Sequence, residues 1–140
     1  MDKENALQKG LELIKSSKIA MIGTLDDDGY PNIKAMLNLV SDGMKTIWFS
    51  TNTSSKRVTQ IKKNMKASVY FVDQDRFKGL LLVGEMEVAN DEESRKKLWF
   101  EGSERYYPLG INDPDYCVLR FTARKGNYYQ GLQNISFDIE

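Results

Sequence analysis

Between Ser50 and Arg57 the chain gathers the hydroxyls of Ser50, Thr51, Ser54 and Ser55 and the cations of Lys56 and Arg57. Hydroxyl, ammonium and guanidinium groups all donate to an oxyanion. The helical spacing that begins after Ser55 adds first-turn N–H groups that have no acceptor within a helix. In that pattern the segment is a phosphate site. The same residues also describe an ordinary helix start, with Ser54 or Ser55 as the cap and both cations solvated. Local chemistry alone leaves both readings open.

The rest of the composition narrows what such a site can serve. Lys plus Arg and Asp plus Glu each number 20, so the formal net charge is zero and any anion site must be local. A nucleic-acid partner is not expected, although Tyr106-Tyr107, Tyr128-Tyr129, Arg120, Arg124 and Lys125 supply stacking and basic side chains. The chain contains no His, which removes Ser-His-Asp and Cys-His catalysis and the commonest transition-metal ligand. No catalytic residue can be named from sequence and no metal site is expected. Asp26-Asp27-Asp28 lacks the spaced ligands of a calcium loop and reads as a solvated turn. Arg95-Lys96-Lys97 reads as the wet face of a helix. The single cysteine, Cys117, lies on an apolar run and reads as a buried small hydrophobe. With no disulfide pairing available, no apolar leader and no membrane-length run, the expected location is the cytoplasm and no membrane is expected as a partner.

The elements that must position the loop can be read from periodicity. Hydrophobic residues make up 41% and charged residues 29%, proportions of a folded chain, and residues 1–140 are read as one domain. Leu7, Gly10, Leu11 and Ile14 recur at helical intervals and predict a helix over 6–17. Ile19 to Leu25, Asn32 to Val40 and Thr46 to Ser50 predict an antiparallel meander, turned at Asp26–Gly29 and Ser41–Met44. A helix over Lys56 to Met65 follows the polar loop. Strands are predicted at Ala67 to Val72 and Gly79 to Ala89, then a helix from Glu92 to about Glu101, capped by Asn90-Asp91. Tyr116 to Thr122 and Gly126 to Tyr129 predict the closing strands. The fold class is therefore mostly β within α+β: an antiparallel split β-barrel of about six strands with two to four short helices.

On these residues the chain resembles the FMN-binding split-barrel flavoproteins, the superfamily of pyridoxamine 5′-phosphate oxidase. There a strand ending in an aromatic and Thr-Asn is followed by Ser, two basic residues and a helix, as in Trp48-Phe49-Ser50-Thr51-Asn52 and Ser55-Lys56-Arg57. Gly23-Thr-Leu with Gly29-Tyr-Pro31 resembles the family's first hairpin, and Gly84-Glu-Met-Glu-Val88 its later strand. Leu109-Gly-Ile-Asn-Asp-Pro-Asp-Tyr116 is similar to a connection in its general stress protein branch.

The resemblance implies that Thr51, Ser55, Lys56 and Arg57 hold the FMN phosphate, with Ser50 a further contact. It implies that Lys34, Ala35, Met36 and Leu37 lie along the isoalloxazine. It also implies a homodimer with the cofactor at the interface, to which Trp99 and Tyr129 are candidate contributors from the second subunit; plain packing is the competing reading for both. The closing Arg-His substrate motif is missing, so a true pyridoxamine 5′-phosphate oxidase is not expected. Asn38 and Leu39 stand where that enzyme's second basic residue belongs. The function so implied is an FMN-dependent oxidoreductase acting on an unknown small substrate. The alternative is a non-catalytic flavin-binding or stress-related protein of the same fold, and a barrel for deazaflavin or haem is a third reading.

Overall fold

Alternation of apolar and polar residues builds the sheet, and each inward set is visible in the burial. The computed structural model describes residues 1–140. Helix α1 (Lys3–Ser16) is followed by β1 (Ile19–Leu25), β2 (Pro31–Leu37), β3 (Val40–Asp42) and β4 (Thr46–Asn52). Then come α2 (Lys56–Lys63), β5 (Lys66–Asp73), β6 (Lys78–Val88), α3 (Glu92–Leu98), a 3-10 turn at Ser103–Arg105, β7 (Tyr116–Gln130) and β8 (Gln133–Asp138). All strand pairs are antiparallel, in the order β2-β1-β5-β6-β7-β4-β3, with β8 pairing β7.

The sheet curls until β2 lies against β4 without a hydrogen-bonded ladder between them, so the barrel is split there. Ala20 and Ile22 of β1, Phe49 of β4, Val69 and Phe71 of β5, Leu80 and Leu82 of β6 and Phe121 of β7 point inward to one core. Leu13 and Ile14 of α1 and Val58 and Ile61 of α2 cover its openings. Burial of such side chains contributes roughly 1.5–3 kcal/mol each before the cost of ordering the chain. A second, smaller cluster lies outside the barrel, where Leu98, Tyr107, Tyr116 and Val118 pack with Trp48 and Trp99.

The split barrel and its short helices match the expectation, and the strand count is a correction: eight rather than about six. The run expected as one strand from Asn32 to Val40 breaks at Asn38, whose side-chain amide donates to the Ile14 and Ser17 carbonyls, each at 2.8 Å. Asn38 thereby caps the end of α1, and the chain resumes as the short β3. The two expected closing strands are one, β7, bent at a bulge between Ala123 and Lys125. Opposite that bulge, a Cβ on Gly84 would fall 2.0 Å from the Thr122 carbonyl oxygen, so only glycine fits. Strand β8 has no counterpart in the sequence reading, since only Ile135 and Phe137 carry its alternation.

Candidate anion-binding site

Strand β4, the loop 53–55 and α2 bring most of the expected donors together. Ser55 is the N-cap of α2, its hydroxyl accepting from the Val58 N–H at 3.3 Å. Lys56 and Arg57 then occupy the first turn, where their own N–H groups have no acceptor within the chain. The Arg57 Nη1 donates to the buried Thr51 hydroxyl at 2.8 Å. Alternation along β4 turns Thr51 inward and Ser50 to the other face, in register with Val118. Ser50 therefore does not join Thr51 and Arg57 in one chain, because neighbours on a strand cannot share a face.

A cleft of about 310 Å³ opens between this helix start and the first hairpin. Thr24, Asn32 and Lys34 form one wall, and Ser55, Lys56, Arg57 and Gln60 the other. The Thr24 hydroxyl donates to Gln60 Oε1 at 2.6 Å and ties the two walls. Three cations line the cleft and no carboxylate does. Burial pushes the Arg57 pKa down, the signature of a guanidinium taken from water without a compensating anion. Its Nε is the one buried side-chain polar atom in the protein that lacks a partner. A buried donor left unmade costs about 1–3 kcal/mol, which a bound oxyanion would relieve.

The loop is held from behind by residues that sequence reasoning did not assign. Asp115 accepts the Thr53 N–H on its backbone oxygen at 2.8 Å and the Ser54 N–H on its carboxylate at 3.0 Å. Thr53 Oγ1 donates to the Pro114 carbonyl at 2.9 Å, and Tyr107 donates to Asn52 Oδ1 at 3.2 Å. Asp113, buried, in turn accepts from the Leu109 and Asp115 N–H groups. The segment 109–116 is thus the brace of the loop 53–55. Its advance signal was the resemblance of Leu109 to Tyr116 to a connection of the general stress protein branch, which gave the segment a place but no partner.

Arg95, read as solvated, is a correction. Its guanidinium donates to the carbonyls of Ile111 (2.6 Å), Tyr116 (2.7 Å) and Asp113 (3.1 Å) and lies 4.7 Å from the Tyr116 ring centroid. It fastens the brace to α3. Lys97 lies 4.0 Å over the Trp48 ring, while Lys96 pairs with exposed Glu92.

The remaining expected residues are dispersed within one chain. On β2, Met36 is buried in the core, while Ala35 and Leu37 face outward opposite Met21 and Ile19. Trp99 packs edge-on against Tyr116 with centroids 5.1 Å apart, and Tyr129 meets Tyr70 and Phe77 on the outer sheet face. Neither lines the cleft of its own chain. Asp26 accepts from Asn32 Nδ2 and from the Asp28 and Tyr30 N–H groups, and these bonds, that of Asn32 foremost, hold its carboxyl below the usual range. Tyr107 and Tyr128 are buried, and Arg120 and Arg124 pair with Glu87 and Glu85, so the basic and aromatic residues do not form one surface. Burial raises the Cys117 thiol pKa, as suits a core residue. No helix is long and apolar enough to cross a membrane.

A split antiparallel barrel with a cleft lined by three cations and no carboxylate at the β4–α2 junction characterises the class of protein. The chain belongs to the pyridoxamine 5′-phosphate oxidase like family, whose model matches residues 5–139. Within it the chain is similar to a Clostridium acetobutylicum protein related to general stress protein 26 of B. subtilis. The two are 54% identical with a TM-score of 0.89, over 99% of this chain and 97% of that one. General stress protein 26 from Bacillus anthracis shares the fold at 17% identity and a TM-score of 0.80, over 95% and 98% of the two chains. So does a heme binding protein from Mycobacterium smegmatis, at 15% identity and a TM-score of 0.79, over 99% of this chain and 60% of that one. No curated protein matches.

Proposed function

We propose that this chain binds FMN with its phosphate in the cleft at the start of α2, and that it acts as a flavin-dependent oxidoreductase on a small substrate. The observation that carries the reading is the unpartnered, buried Nε of Arg57 in a cleft with three cations and no carboxylate. Lys34, Lys56 and Arg57 supply charge, Thr51 orients the guanidinium, and Ser55 sets where the helix N–H groups point. When bound, FMN supplies the electron or hydride transfer, and the protein supplies binding, orientation and shielding from water.

The pocket is completed by a second copy of the chain. The outer face of β1 and β2 exposes Ile33 at 69%, Leu37 at 51% and Ile19 at 49%, a contiguous apolar strip of the kind that marks an interface. Ala35 belongs to this strip, which puts the backbone of residues 34–37 beside both the cleft and the partner. Trp99 and Tyr129 are the residues proposed to reach across.

One observation favours a second reading, flavin holding without turnover. No His, Cys, Asp or Glu lines the cleft, so the side chains that most often serve as general acid or base are missing from it. Haem fits the residues less well, because the chain offers no His and its one Cys is in the core.

Titration with FMN, followed by quenching of flavin fluorescence, tests the site. Lys56→Ala with Arg57→Ala removes contacts worth on the order of 1.5–3 kcal/mol each and should weaken FMN by at least about a hundredfold. Equal affinity in parent and variant would reduce the loop to a helix cap. Oxidation of reduced nicotinamide by the FMN-loaded protein separates turnover from holding.

A further inference from the structure

Left-handed backbone occurs at Gly29, Gly43, Gly102, Gly110 and Gly131, where no side chain is strained by it. The one other residue in that region is Phe77, with a φ of 51°, at the end of the β5–β6 turn. There a Cβ crowds the following carbonyl, a cost that glycine would avoid. The chain returns little for it. The Phe77 ring is 63% exposed, and its aromatic contact is an edge-on approach to Tyr129 with centroids 5.7 Å apart. A strained position that holds a large apolar ring in water points to a use outside the chain.

Phe77 continues the face that the second copy is proposed to cover. Ala35, Met21, Tyr70 and Leu81 stand in one row across β2, β1, β5 and β6. Tyr70 bonds to Tyr129, and Tyr129 meets Phe77. The Phe77 carbonyl accepts the Gly131 N–H at 3.0 Å, which joins this turn to the one carrying the fully exposed Leu132. The rim of the turn suits a copy of itself. Asp73 and Asp75 stand with Arg76 and Lys78, two charges of each sign, and none of the four forms an ion pair within the chain. Two such rims related by a two-fold axis can match acids to bases, whereas a polyanion would meet as much repulsion as attraction.

We propose that Phe77 is an anchor of the interface between two copies of this chain, its backbone cost offset when the partner buries the ring. It also props Tyr129 where the second copy takes that side chain up. This role rests on the second copy proposed above and is independent of what the cleft holds.

Sedimentation equilibrium of the parent, Phe77→Gly and Phe77→Ala tests the anchor, with circular dichroism to show that each chain is folded. Each ring lost should weaken association about tenfold, and a two-fold interface contains the ring twice, so both variants should raise the dimer Kd about a hundredfold. Glycine removes the strain as well as the ring, so Phe77→Gly should have a higher urea midpoint than Phe77→Ala at equal chain concentration. An unchanged dimer Kd in Phe77→Gly overturns the proposal and leaves the second copy standing. Equal urea midpoints in the two variants overturn the strain on which it is built. A parent that is monomeric at every concentration removes the second copy and the anchor together. A monomeric parent that floats with phosphatidylcholine vesicles, where Phe77→Gly does not, would give the turn to a lipid surface and overturn the proposal as well.

Discussion

Tyr70 on β5 and Tyr129 on β7 share a 2.5 Å hydrogen bond across the intervening strand β6, directly over Gly79. A Cβ at Gly79 would lie 2.6 Å from Tyr129 Cε1 and 2.8 Å from the Tyr70 hydroxyl, so the two rings meet only because that position has no side chain. Gly79→Ala must therefore part the tyrosines or shift the strand. The expected loss is about 1–3 kcal/mol, read as a lower urea midpoint. An unchanged midpoint would mean the pair rearranges without cost.

The same pair gives stability a pH dependence. Burial, reinforced by Tyr129, pushes the Tyr70 phenol from 10.0 up to about 12. The folded state then holds this proton more tightly than the unfolded chain does, so the contribution is intact below pH 10 and drains away as pH rises toward 12. Burial likewise takes Tyr116 up to about 12. Urea midpoints measured across this window should fall less steeply in Tyr70→Phe than in the parent. Parallel slopes would assign the alkaline loss to other groups.

Arg95 satisfies three carbonyls of the 109–116 brace at once. Arg95→Ala strands buried acceptors and should cost about 2–4 kcal/mol by denaturant unfolding. Arg95→Lys should recover little, because one ammonium cannot span the fork that a guanidinium fills. Full recovery by Lys would show that charge, not geometry, holds the brace.

Asp115 reaches the loop 53–55 from behind through the N–H groups of Thr53 and Ser54. Asp115→Ala should lower FMN affinity about tenfold by loosening the loop, without altering any residue of the cleft. Asp115→Asn keeps an acceptor oxygen and should restore most of that affinity in the same fluorescence titration. A variant Asp115→Ala that binds as the parent does would make the brace irrelevant to the site.

Periodicity and turn chemistry made most elements legible before any coordinates. The α2 start and a strand over Thr46 to Ser50 were readable from local spacing and turn residues, and so was the concentration of cations at Lys56 and Arg57. What escaped was whatever depends on partners distant in sequence. Nothing local marks Asn38 as the cap of a helix that ended some twenty residues earlier, a span closed only by the turn of the β1–β2 hairpin. Arg95 looked solvated because its neighbours Lys96 and Lys97 are charged, while its carbonyl partners lie in a loop beyond α3. Ser50 was grouped with Thr51 by adjacency, yet strand geometry places consecutive residues on opposite faces.

Strand β7 serves as partner to β4, β6 and β8, so the barrel wall cannot be completed until the last part of the chain exists. During synthesis, β4 and β6 leave the ribosome as unpaired edges and wait for Tyr116 onward to arrive between them. Such late, non-local closure makes for slow folding and a window in which exposed strand edges invite association with other chains. Any truncation that shortens β7 should therefore impair production of the protein in cells, although no residue of β7 lines the cleft.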